Sequence, residues 1–359
     1  MPFEKFIQQL IDEEIIPGIT ILVGQGGRTL FSRQYGCKSL LPDKEPLDEN
    51  TLYDTASLTK PLITALAVQY LSERGEFSLD TAVKKFFPHL PFDITIHHLL
   101  THTGGLPAWF PFYLYGPDYL ATYSYLDLQS RPGRKVIYSC PGYILLYHII
   151  QAVAGRPFHD FIQDLVFRPL GLTHSFLRVP QALKNTAAPT ELGNTYEKKM
   201  AETALPGPAQ KFDWREHLIQ GDTHDVNSHF LGGTAGNAGL FSTAADLFKL
   251  AGEFYPDQAR LLKPETIRLC WKNLTPFKRS HRTIGFKLNS SWITAGGPAI
   301  SRSAIGHSGF TGVSLWLEPG AGYRYILLTN RIHPQVKPVD FDRVRRKLHR
   351  LLKRGLGLV

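Results

Sequence analysis

The strongest constraint on the fold is where the two hydrophobic periodicities fall along the chain. Strand-like runs occur near the N-terminus, at Ile19–Gly24 and Arg28–Arg33, around the turn Gln25-Gly26-Gly27. They return only near the C-terminus, at Ile284–Leu288, Gly312–Leu317 and Tyr323–Thr329. Between these, helical spacing dominates, over 57–73, His97–Thr101, Tyr143–Ala154, Phe158–Phe167 and Ala244–Ala251. Residues 2–14 and the segment from Phe341 to Leu352 read as amphipathic helices at the two ends. Strands at both ends with helices between them predict one α/β unit built from both termini, residues 1–76 and 275–359. A mainly helical unit, 77–274, is then inserted in its middle. Val179 to Gly232 is polar with little periodicity, too long for a plain connection, so the stretch 180–235 is expected to be a functional loop or to carry short elements.

Composition matters chiefly for what it excludes. Of 359 residues, 43% are hydrophobic and 20% charged, which is neither a disordered nor a membrane-embedded composition. No apolar run reaches the roughly 18 residues needed to span a bilayer. Met1 to Phe6 has no basic patch followed by an apolar stretch, so the chain is expected to be cytoplasmic, and periplasmic only if a leader was removed. Cys37, Cys140 and Cys270 are too few for a disulfide framework and contain no CxxC pair for zinc. No metal or cofactor is expected. The net charge of +9 is concentrated at one end: residues 341–359 hold seven Lys or Arg and a single acid, Asp342. That asymmetry argues against a nucleic-acid partner. The apolar stripe of the final helix is expected to pack on the sheet with its cations in solvent, rather than to contact a membrane surface.

Three short motifs can carry chemistry. In Thr55-Ala56-Ser57-Leu58-Thr59-Lys60, Ser57 is the only serine with lysine three positions on. That spacing places both side chains on one helical face. A serine hydroxyl needs a base within hydrogen-bond reach. A lysine serves if burial and the positive end of a helix bring its pKa down. Alone, the same residues also suit a plain helix start with Ser57 as cap. Tyr138-Ser139-Cys140 supplies a phenol able to move a proton to a leaving group. It equally suits a core tyrosine opening a helix. Gly306-His307-Ser308-Gly309-Phe310-Thr311-Gly312 precedes a strand, and its glycines let a substrate backbone lie close to a sheet edge. The Phe310 and Ser57 N–H groups are candidates for an oxyanion hole, and His307 for a partner of the Tyr138 oxygen. Ser308 is a poor rival nucleophile, because Phe310 stands where a nucleophile elbow needs glycine. His97, His98 and His102 lack the glutamate of the zinc-protease pattern and are expected in core or capping roles.

Taken in order, with the blocks Leu52–Lys60, Ile96–Pro107 and Gly236–Leu247, these motifs resemble the class C β-lactamase, penicillin-binding and serine carboxylesterase family. The likeness runs from Pro17-Gly18 to about Leu352. It implies a β-lactamase/transpeptidase-like α/β fold, with an antiparallel sheet flanked by terminal helices. It also implies a Ser57 acyl-enzyme, with Lys60 and Tyr138 sharing the proton transfers and a small-molecule or short peptide substrate. His307-Ser308-Gly309 would take the place of Lys-Thr-Gly. Cys140 stands where the family often has asparagine, and a thiol cannot replace an amide's donor and acceptor pair. His307 in place of lysine removes a fixed positive charge, which weakens carboxylate recognition. Both departures point to an esterase or peptidase rather than an efficient lactamase. The alternative is a catalytically weak penicillin-binding or ligand-sensing module. A regulatory role for the Cys140 thiol also stays open. Ala188–Glu191 and His224-Asp225 are expected at the pocket mouth.

Overall fold

A computed structural model describes residues 1–358. Ten strands run in chain order as β1 Gly18–Gln25, β2 Arg28–Ser39, β3 Glu45–Pro46, β4 Tyr53–Asp54, β5 Ser175–Phe176, β6 Phe241–Ser242, β7 Lys287–Leu288, β8 Ile305–Ser308, β9 Ser314–Leu317 and β10 Tyr323–Leu328. Seven form an antiparallel sheet in the order β3-β2-β1-β10-β9-β8-β7. The two ends of the chain meet where β1 pairs with β10, Ile21 opposite Leu327 and Val23 opposite Tyr325.

The β1 side chains alternate across the sheet, and both faces are covered, so the strand is buried from Gly18 to Gly24. Ile19, Ile21 and Val23 face the terminal helices Pro2–Asp12 and Phe341–Gly355, packing with Phe3, Ile7, Leu348 and Leu352. Leu22 enters the larger core on the opposite face with Ile63, Leu315, Leu317 and Ile326. Among the cations expected in solvent, Arg345 is buried instead. Its guanidinium reaches through the sheet edge to the carbonyls of Gly309 and Val313, at 2.8 and 3.0 Å. Strand lengths also differ from expectation. β2 continues to Ser39, while the run from Ile284 forms a strand only at Lys287–Leu288.

Two further differences, and the short elements expected in the polar stretch, bear on the site. The segment 57–73 is not one α-helix. A 3₁₀ turn, Ala56–Leu58, leads into a π-helical turn, Lys60–Ala65, and only Leu66–Glu73 is α-helical. Pro61 has no N–H for the ladder, and π turns commonly sit at functional positions. The helical middle also carries a small antiparallel sheet, β4-β6-β5, which holds Asp54 opposite Phe241. The polar stretch contains helices Thr195–Ala204, Pro206–Lys211 and Val226–Phe230. It is tied to the sheet unit by Asn330, which donates to the Pro189 carbonyl at 2.7 Å, and by His333, whose Nδ1 meets the Thr190 carbonyl at 3.0 Å.

Candidate functional site

Ser57 is set on its turn by the residues just before it. Ala56 has φ +46°, a left-handed conformation unusual for a residue with a side chain. Its N–H is held by the Asp54 carboxylate at 2.8 Å, and its carbonyl accepts the Thr59 hydroxyl at 2.7 Å. Thr311 donates to the Asp54 carbonyl at 2.8 Å, which ties the turn to the chain beyond β8. One turn on, Lys60 is fully buried. Its ammonium nitrogen lies 3.1 Å from Ser57 Oγ, 2.9 Å from the Asn237 carbonyl and 3.5 Å from Cys140 Sγ. Asn237 belongs to the Gly236–Leu247 block, but nothing in its spacing marks it as a partner of Lys60. Its own amide is fixed by Asp225 and Ser228.

Tyr138 sits in extended chain ahead of the Cys140–Ala154 helix, which Ser139 caps by accepting the Gly142 N–H at 3.1 Å. This segment is clamped by His102. The His102 carbonyl accepts the Ile137 N–H at 2.9 Å, and its Nδ1 accepts the Ser139 N–H at 3.1 Å. The His102 ring packs tilted against Tyr138, centroids 4.7 Å apart, so this histidine positions the phenol. His98 caps its own short helix, its ring accepting the Thr95 N–H at 3.1 Å. The Lys60 nitrogen lies 5.0 Å from the Tyr138 ring centre. His307 also lies beside that ring, centroids 5.8 Å apart. No hydrogen bond joins it to the Tyr138 oxygen; its Nδ1 instead meets the Ser308 carbonyl at 2.9 Å. Burial, with Arg282 and Lys60 nearby, holds His307 well below the usual imidazole range, so it is neutral at pH 7.

The Lys60, Tyr138 and Cys140 protons form one coupled set. Burial, the largest influence on Lys60, lowers its pKa, as the sequence suggests. Negative charge on Cys140 or Tyr138 more than reverses this and holds the ammonium above its usual value. Burial raises both of those acids in turn, against the lowering pull of Lys60. The set therefore favours either three uncharged groups or an ammonium paired with one anion, and resists an isolated charge.

Gly309 brings the strand end against the nucleophile turn. A Cβ added there would meet Thr55 O at 2.7 Å and Ala56 Cβ at 3.1 Å. Arg345 holds the Gly309 carbonyl from behind, and Arg331 holds that of Phe310 at 3.1 Å. Among the described residues, neither the Ser57 nor the Phe310 N–H donates to another protein group.

Two cavities meet at Ser57, Tyr138 and Phe310. One, of about 360 Å³, follows the strand side past Ser308 and is lined by Arg282, Lys287, Arg331 and Arg345 against one acid, Asp342. Arg282 is buried beneath the Tyr138 ring at 5.6 Å, and its Nε has no partner among the described residues. The cleft thus carries positive charge without a lysine at position 307. The other cavity, of about 490 Å³, lies on the helical side. His224 and Asp225 line it, but Ala188–Glu191 are buried behind, where Glu191 pairs with His224 at 2.9 Å.

A family model described as Beta-lactamase matches residues 3–349. A relative from Escherichia coli (strain K12), named as a D-alanyl-D-alanine carboxypeptidase, is 28% identical over 94% of this chain and 85% of its own length. An N-acetylmuramyl-L-alanine amidase from Bacillus subtilis (strain 168) is 27% identical, over 93% and 82%. In fold the chain is similar to a penicillin-binding protein homologue from Pyrococcus abyssi. That match has a TM-score of 0.72 at 21% identity, covering 99% of this chain and 77% of that one. It is similar also to the hydrolase EstCE1, with a TM-score of 0.74 at 20% identity over 97% of both chains. The antiparallel sheet and its helical insertion have the β-lactamase/transpeptidase-like architecture, and the chain belongs to the Beta-lactamase family of serine hydrolases.

Proposed function

We propose that this chain cleaves an ester or amide through a covalent acyl-enzyme on Ser57. The observation that carries the reading is the fully buried Lys60 amine 3.1 Å from Ser57 Oγ, one turn along the same segment. As Oγ bonds to the carbonyl carbon, its proton passes to the Lys60–Tyr138 pair, to the amine when the set is uncharged and to the phenolate when Lys60 is the ammonium. The N–H groups of Ser57 and Phe310 receive the developing oxyanion, both being free of other duty. Collapse breaks the bond to the leaving group, which takes its proton from the Lys60–Tyr138 pair. Water then repeats the sequence in reverse and frees Ser57. The neutral His307 adds no charge to the ammonium formed in transit. The cationic cleft favours a leaving group bearing a carboxylate, held by Arg282 and Lys287. The names of the carboxypeptidase and amidase relatives support cleavage of an amide.

Exposure to a fluorophosphonate and to a penicillin, followed by intact-mass and peptide mapping, tests this reading. A single adduct on Ser57, with none on Ser308, is expected. An unlabelled protein that also cleaves no activated ester would refute it. The thiol at position 140 favours a second reading, a sensing module that acylates and does not deacylate. That reading predicts an adduct with penicillin that persists for hours, where the hydrolase predicts one that decays.

A further inference from the structure

We infer that the acyl half of the substrate is bulky and apolar, and that the helix Thr195–Ala204 is what selects it. The inference rests on the acyl-enzyme reading and concerns the cavity on the opposite side of Ser57 from the cationic cleft. That cavity has about 490 Å³, and its wall beside Ser57 is made by Ala108, Trp109, Tyr196, Met200 and Phe310. Tyr196 and Met200 lie four apart and so project from one face of the helix. Tyr196 is 40% exposed, and its ring packs on Phe310 at 5.1 Å, closing the cavity over the oxyanion position. The Trp109 indole is pinned by its N–H to Glu197 Oε1 at 3.2 Å, which leaves its ring as a fixed apolar wall.

Asp54, Glu197 and Asp225 also line this cavity, but their oxygens already accept protein hydrogen bonds. Asp54 accepts the Ala56 and His224 N–H groups, Glu197 accepts from Trp109 and Val226, and Asp225 from Ser228 and Asn237. Burial further pushes the Glu197 carboxyl up to about 7, which weakens it as a partner for a cation. An ammonium-bearing acyl group would have to compete with those donors for the carboxylates, while the rest of the lining offers it aromatic and thioether surface. An acetyl group would leave most of the space unfilled. A medium aliphatic chain or an arylacetyl group fills it, and each methylene that leaves water strengthens binding about threefold to fourfold.

The test is kcat/KM for nitrophenyl acetate, butyrate, hexanoate, octanoate and phenylacetate, with nitrophenyl alanine ester as the cationic member. The expected result is a rise of at least about tenfold from acetate to hexanoate, with phenylacetate also preferred and the alanine ester poor. Met200→Gln and Tyr196→Ser, on a surface helix, should flatten that rise while fluorophosphonate still labels Ser57. A flat series, a preference for acetate or for the alanine ester, or an unchanged slope in both variants would overturn the inference. In those cases labelled Ser57 and cleaved acetate leave the acyl-enzyme reading standing. An unlabelled Ser57 with no ester cleaved removes both.

Discussion

Replacing Gly309 by alanine tests whether the strand end and the nucleophile turn act as one reacting unit. The added Cβ would lie 2.7 Å from the Thr55 carbonyl oxygen and 2.6 Å from Val313 Cγ2, where ordinary contact begins at 3.4 Å. Val313 can yield by a side-chain adjustment. Thr55 cannot, because it is backbone, and its hydroxyl and N–H are both bonded to Leu240. The strand end must therefore back away from the turn by about 0.7 Å, carrying the Phe310 N–H with it. A displacement of about 1 Å in a reacting geometry costs on the order of 100-fold, so a fall in kcat of about 10- to 100-fold is expected. Overpacking of this kind destabilises by about 1–3 kcal/mol, which leaves the protein folded. Steady-state hydrolysis of an activated ester would show the loss in kcat with KM little changed, beside a thermal unfolding curve shifted by a few degrees. A folded variant with kcat within twofold of the parent would refute the reasoning. The Phe310 N–H would then contribute nothing to the transition state.

Three other outcomes are expected. Arg282→Gln should raise KM for esters whose leaving group carries a carboxylate by about 10- to 100-fold, the worth of a charge-assisted hydrogen bond. Neutral esters should be little affected, and equal losses for both would dismiss the cleft as an anion site. Cys140→Asn restores an amide donor and acceptor beside Lys60, and should improve amide over ester turnover by about fivefold, one hydrogen bond's worth. An unchanged ratio of the two rates would show that position 140 does not contact the substrate amide. His349 is buried, and burial, then Arg345, lower its pKa to about 3. Its proton is therefore bound in the unfolded chain before the folded one. Stability should fall as pH drops below the unfolded value near 6.5, by up to about 1.4 kcal/mol per pH unit down to pH 3. Urea unfolding of His349→Leu from pH 7 to 4 should show a shallower loss than the parent, and parallel curves would exclude this residue as the cause.

Ser57 and Lys60 were legible because their meeting needs only one helical turn, and a local repeat is what a sequence displays directly. β1, β9 and β10 were legible for the same reason, since each is a short, largely apolar run; β8, Ile305–Ser308, was not, because Ile305 is its one large apolar residue. Even there, the pattern missed the π turn at Lys60–Ala65, because helical periodicity reads the same for closely related helices. What tertiary structure alone decided is which distant groups converge on that serine. Asn237 brings its carbonyl to Lys60, His102 clamps the tyrosine segment, and Arg345 reaches from the last helix to hold Gly309. Arg282 joins the cationic cleft beside the Tyr138 ring, and its place in the chain gives no hint of that position. The helix carrying Tyr196 and Met200 lay within a stretch of weak periodicity, since its short apolar face is completed only by packing against other segments. Spacing along a chain determines neighbours within a turn or a strand; neighbours across a cavity are set by how the whole core closes.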